Sequence, residues 1–194
     1  MAKEFMQRLR EAIMPLHDEA EKTGPLRAIE QKTITLERYK KILERLYGFV
    51  SGAENLIIHE IQPSGLDFGP RARINHLGND LIFLGHTRDS LREIPLCDDI
   101  SAIRTIHGAL GLAYLSEGSR LGGLVLSKDL VESFGFEDFQ GYAYFASNGM
   151  DVPSLWLSFK DFMENYVESQ GGGSEIILAA RNGFASLNEW LAGP

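Results

Sequence analysis

The run ISAIRTIHGALGLAYLSEGSRLGGLVLSKDLVESF, residues 100–134, constrains this chain more than any other stretch. Ala102, Ile103, Ile106, Ala109, Leu110, Ala113 and Tyr114 recur at three- and four-residue steps. Leu121, Leu124, Val125 and Leu130 carry the spacing onward. That is the period of a helix. Its middle is unusual for a core helix, because Gly118, Gly122 and Gly123 fall within EGSRLGG. Each glycine costs about 1 kcal/mol against alanine in a helix interior. Three together point to a bend or to something that approaches the backbone closely. Gly118 and Gly122 are four apart and share a face. That face carries no side chains, so another helix or a flat apolar molecule can lie on it.

The remaining chain supplies helical partners. Phe5, Leu9, Ile13, Leu16 and Ala20 form one stripe over residues 4–22. Pro15 lies inside it and predicts a kink or restart near Met14. Gly24-Pro25 marks a turn, and 26–31 forms a short helical piece. A second long helix is expected over 35–61, with Thr35 as N-cap and Glu37 in the first turn. A third starts at Pro70 and runs to Gly85. Asp98 or Asp99 is expected to cap the glycine-bearing helix. The aromatic segment 135–152 reads as a structured loop, with two short strands as the other possibility. Helices over 153–167 and from 174 onward complete the chain, joined by a flexible link at 170–173. The expectation is an all-α, irregular multi-helix bundle with a glycine-kinked central helix, and a single domain over residues 1–194.

Composition excludes several classes of function. Hydrophobic residues make up 44% and charged residues 24% of the 194, the balance of a globular protein. The formal net charge of -8 argues against nucleic acid or an anionic membrane as partner, though Arg71 and Arg73 could form a local basic patch. A lone cysteine, Cys97, permits no internal disulfide and no cysteine-based metal site. The opening residues are charged and amphipathic, unlike a signal peptide, and no apolar run is long enough to span a bilayer. The expected location is the cytoplasm.

His17 has two readings. It is either a partly buried histidine satisfied by a carbonyl or carboxylate, or an axial ligand to iron through a neutral ring nitrogen. It follows Ile13 by four residues, which favours the core-facing side, and Asp18, Glu19 and Glu21 surround it with negative charge. The other histidines carry no such pattern. HExxH, CxxC and CxxCH are absent.

Three stretches together resemble the bacterial haem oxygenases, in particular those associated with biliverdin-binding phytochromes: LREAIMPLH, ending at His17; ITLERYKKILERLYGF, residues 34–49; and AYLSEGSRLGG, residues 113–123. Weaker likeness continues through VPSLWLSF and RNGFASLNEWL, so the resemblance spans nearly the whole chain. It implies that His17 is the proximal ligand of haem iron and that Gly118, Gly122 and Gly123 belong to the distal helix. The haem (haem b, both cofactor and substrate) is clamped between the two helices. Molecular oxygen and electrons from a ferredoxin or flavoprotein reductase then convert it to biliverdin, carbon monoxide and iron. Ser119 stands where animal members carry aspartate, and the phytochrome-associated branch has serine in an EGS run. The resemblance thus implies His17, Gly118, Ser119 and Gly122 as catalytic positions. Arg10, Tyr114, Lys160 and Arg181 are candidates for the haem propionates, and Phe184 resembles a pocket aromatic. A bacteriophytochrome is the implied acceptor of the product. A non-catalytic haem-binding or storage protein is the alternative on the same scaffold. A helical enzyme acting on a thiamine-related molecule is a third reading, for which Cys97 offers no convincing nucleophile.

Overall fold

The computed structural model describes residues 4–102 and 104–193; the side chains of residues 101 and 102 are outside that description. Among the described residues, eight α-helices follow in chain order: α1 (Phe5–Thr23), α2 (Arg27–Glu30), α3 (Leu36–Ile61), α4 (Ile74–Phe83), α5 (Arg88–Leu91), α6 (Ile106–Phe134), α7 (Val152–Gln170) and α8 (Gly173–Ala192). Short 3-10 turns fill several connections. Among the described residues there are no strands, and 135–151 is a chain of turns ending in a 3-10 turn at Ser147–Gly149. The all-α expectation holds.

Caps explain most helix starts. Thr35 accepts from the Arg38 amide at the head of α3, as its sequence position predicts. Asp151 does the same for Ser154 on α7. The start of α6 differs from expectation. Asp99 opens a separate 3-10 turn, and Thr105 is the cap, its hydroxyl accepting from the Gly108 amide. Pro70 likewise opens a 3-10 turn at Gly69–Arg71, and α4 begins only at Ile74. Ala72, between them, is extended at ψ 138°. α1 runs through Pro15 with no restart at Met14, and the proline lies exposed. The expected link at 170–173 shrinks to Gly171 and Gly172, both at positive φ.

α6 is the central element, helical from Ile106 to Phe134 through all of its glycines. It packs on α3, α7 and α8, while α1 packs on α7 and α8. Glycine sets the α6–α8 crossing. A methyl group at Gly111 would stand 2.7 Å from the Ala180 amide nitrogen, and one at Gly183 the same distance from Leu112. Two apolar clusters result. One joins α1, α3, α6, α7 and α8 around Leu9, Ile57, Leu110 and Phe159. The other joins α2, α3, α4 and the distal end of α6 to Phe136 and Phe145 of the turn segment. Among the described residues, no helix is long and apolar enough to cross a membrane.

Candidate functional site

The three central glycines of α6 do different jobs. A methyl at Gly122 would meet nothing within 4 Å, and one at Gly118 would meet only the Trp156 indole, at 3.9 Å. These two form a bare, open face, as their four-residue spacing predicts. Gly123 is turned away from it. It is buried, and a methyl there would press to 2.7 Å from the Phe145 carbonyl oxygen. Its role is therefore to let the turn segment pack on α6. Trp156 is only partly buried and lies 5.9 Å from the Tyr114 ring, edging the glycine face.

His17 lies in the second half of α1, beyond the last fully buried residue of that helix, Ile13. Its side chain is 48% exposed, against the core-facing position expected. The stripe is fully buried only up to Ile13; beyond it α1 is partly covered by α8, with Leu16 half-buried and its carbonyl accepting from Asn188 Nδ2. The ring stands 6.2 Å from that of Phe184 on α8, and its Nδ1 is 3.5 Å from a Glu21 carboxylate oxygen. A ligand atom each of His17, Asp18 and Glu21 fit within 4.8 Å of one another, all exposed.

The anion-binding candidates separate into two groups. Arg10 is exposed on α1, and its charge acts on the Tyr114 phenol, whose pKa burial nevertheless raises. Lys160 on α7 is half-buried and Arg181 on α8 is exposed. Among the described residues, no hydrogen bond or ion pair joins either one to His17 or to the glycine turn.

Beneath the glycine face lies a charged network that the sequence reading did not find. Glu117, fully buried, accepts from Arg71 Nη1 at 2.7 Å and from Arg120 Nε at 2.9 Å. Arg120 is also fully buried and donates to the Arg71 carbonyl and to Ser147 Oγ. Arg71 reaches Leu155 O and Ser158 Oγ, tying the network to α7. Arg73 is 2% exposed, so these arginines form no surface patch. Its Nη2 donates to Ser116 O at 2.7 Å and Ser119 Oγ at 2.8 Å, and its guanidinium lies 4.4 Å from the centre of the Tyr144 ring. Ser119 Oγ in turn donates to Ser116 O at 2.9 Å. Glu54 accepts from the backbone amides of Arg73 and Ile74. Burial raises the Glu54 pKa against those bonds, and burial followed by the Arg73 charge lowers that of Arg120. The only local signal was that Glu117 and Arg120 are three apart on one helix, a spacing that lets them pair.

Two cavities lie elsewhere. One, of about 900 Å³, is lined by Leu36, Lys40, Phe83, Phe134 and Phe136 among others; a second, of about 400 Å³, by Ser64, Phe162 and Tyr166 among others. Neither includes His17 or the glycine face.

Known proteins agree with this architecture. The sequence profile of the family described as Heme oxygenase matches residues 3–193. A heme oxygenase of Xanthomonas campestris pv. campestris (strain 8004) is 25% identical over 171 residues, which is 86% of this chain and 96% of that protein. The structure of heme oxygenase from Leptospira interrogans superposes with a TM-score of 0.78 at 17% identity, covering 97% of this chain and 98% of the other. Heme oxygenase-1 from the cyanobacterium Synechocystis sp. PCC6803, solved in complex with heme, gives 0.77 at 19% identity, covering 96% and 90%. At these identities the two structures establish the shared fold.

Proposed function

The chain belongs to the heme oxygenase family, and we propose that it cleaves haem oxidatively to biliverdin, carbon monoxide and ferrous iron. The observation that carries this reading is the bare face of Gly118 and Gly122, together with an exposed imidazole, His17, on another helix. A flat apolar ring with a metal at its centre needs both: one nitrogen donor on one side, and no bulk on the other. The donor set fits. Glu21 lies 3.5 Å from Nδ1, so Nε2 is the nitrogen left for iron. Phe184 supplies an apolar wall next to the imidazole.

When bound, haem supplies the redox chemistry and the protein restricts it. His17 would hold the haem iron, and Gly118 and Gly122 would leave room for oxygen on their face, which would be catalysis by positioning. Arg10, Tyr114, Lys160 and Arg181 are the candidates to receive the propionates. Ser119 is the polar group of the same turn. Electrons come from a ferredoxin or a flavoprotein reductase. The EGS run supports chromophore supply to a bacteriophytochrome as the biological purpose.

The test is a single turnover in air with catalase present: haem is added to the protein, an electron donor is supplied, and the spectrum and products are followed. Loss of the Soret band with biliverdin appearing is the expected result. Stable haem that a competent donor reduces, without biliverdin, would overturn it in favour of a binding protein.

A further inference from the structure

Arg73 is the least compensated charge in the protein's buried network. At 2% exposure it has lost nearly all contact with water, yet its direct partners are all neutral: the Ser116 carbonyl, the Ser119 hydroxyl and the face of Tyr144. Its Nε has no hydrogen-bond partner among the described residues. The carboxylates nearby are committed elsewhere. Glu117 is taken by Arg71 and Arg120, and Glu54 by two backbone amides. Asp80 is bound to the amides of Ala143 and Tyr144. His76 is held toward its neutral form by burial and then by Arg120 and Arg73. Arg73 thus makes no side-chain ion pair among the described residues; Glu54, whose carboxylate its charge stabilises, is held by backbone amides and not by its guanidinium.

A buried guanidinium whose side chain makes no direct ion pair is costly, and it persists where something else uses its field. The exposed partner of this charge is Ser119. Its Oγ accepts from Arg73 and lies on α6 between Gly118 and Gly122, and the residue is exposed. A hydroxyl that accepts from a cation becomes a stronger donor. The Ser119 proton now rests on Ser116 O, an oxygen that Arg73 Nη2 already serves. Turning that proton outward therefore leaves no orphaned acceptor behind.

We propose that Arg73 is a positioning residue that acts through Ser119, making its hydroxyl a donor to negative charge on a ligand held against the Gly118–Gly122 face. The proposal rests on the haem-binding reading of that face. It predicts selectivity by charge, since an anionic ligand feels the Arg73–Ser119 pair and a neutral ligand does not.

The experiment compares the parent protein with Arg73→Met and Ser119→Ala. Fluoride and imidazole are titrated optically into each ferric haem complex, and the thermal midpoint of each apoprotein is measured. Either variant is expected to weaken fluoride about tenfold, the scale of one charge-assisted hydrogen bond. The double variant weakens it no further, because the two residues act in series. Imidazole affinity stays within about twofold, and the apoprotein of Arg73→Met melts no lower than the parent, since a buried charge has been replaced by an apolar chain of similar length. Unchanged fluoride affinity overturns the proposal. So does an equal loss for fluoride and imidazole, the signature of a merely structural arginine. Should Arg73→Met fail to fold, that result counts against the expected apoprotein stability, and Ser119→Ala decides the anion effect alone. A parent protein that binds no haem would overturn the reading of the site and this proposal with it. Haem binding with unaltered fluoride affinity overturns this proposal only.

Discussion

With about half of its side chain in solvent, His17 does little for the fold. Its neighbours on α1 that hold the helix down, Ile13 and Leu9, lie about one and two turns earlier. Removing the imidazole therefore separates binding from stability. His17→Ala is expected to leave apoprotein unfolding within about 0.5 kcal/mol of the parent, as exposed substitutions generally do. In the same variant the five-coordinate, imidazole-ligated haem spectrum is expected to vanish, along with most turnover. Chemical denaturation and an optical haem titration read the two effects independently, and an unchanged iron ligation would remove His17 from the site. Glu117 is the opposite kind of residue. Both of its carboxylate oxygens are engaged by guanidiniums and none of its surface reaches solvent, so its effect on the site cannot be divided from its effect on the fold.

At the scale of the element, α6 shows one residue type serving contrary ends. Gly122 opens on empty space, and Gly111 is pressed against α8. Alanine favours a helix over glycine by about 1 kcal/mol where there is room for its methyl. Gly122→Ala is therefore expected to stabilise the apoprotein by up to that amount, while weakening haem or shifting the biliverdin isomer pattern. Gly111→Ala meets the Ala180 amide at 2.7 Å and is expected to destabilise by about 1–3 kcal/mol, the range for overpacked interiors. Urea unfolding of the two apoproteins checks the signs, and a loss of stability at Gly122 would mean that its face is packed, not open. Helix identity was legible where a stripe met a cap, as at Thr35 and α3. It failed at the start of α6, where Asp99 and Thr105 are both good caps and only the fold chooses between them. The open pair of glycines was legible from spacing. The inward turn of Gly123 was not, because the carbonyl that presses on it belongs to Phe145, in a segment without periodicity. Buried charge escaped for the same reason: Glu117 finds Arg71 from 46 residues away, and no local pattern encodes such a meeting.

Across the whole molecule, the second apolar cluster and the network beneath the site are joined by the turn segment 141–147. Its Phe145 carbonyl seats on Gly123, its Ser147 hydroxyl accepts from Arg120, and Tyr144 lies under Arg73. Asp80 of α4 secures it, accepting from the amides of Ala143 at 2.9 Å and Tyr144 at 2.8 Å while only 1% exposed. Burial raises the Asp80 pKa from 3.8 to about 7, and those backbone bonds pull the other way without prevailing. The folded pKa therefore lies above the unfolded one. Folding favours the proton, so the stability it brings is fully present below the unfolded value near 3.8. It declines as pH rises and is gone above about 7. Over that window the linkage amounts to about 4 kcal/mol. An asparagine at the same place cannot titrate. Subtracting the unfolding free energy of Asp80→Asn from that of the parent cancels every other titrating group that the substitution leaves alone. The difference is expected to be largest near pH 4 and to fall steadily until pH 7, then to level off. A difference that is flat, or that grows with pH, would mean the two amides hold Asp80 as a stable anion. The turn segment that braces the site would then rest on a fixed charge instead of a titrating one.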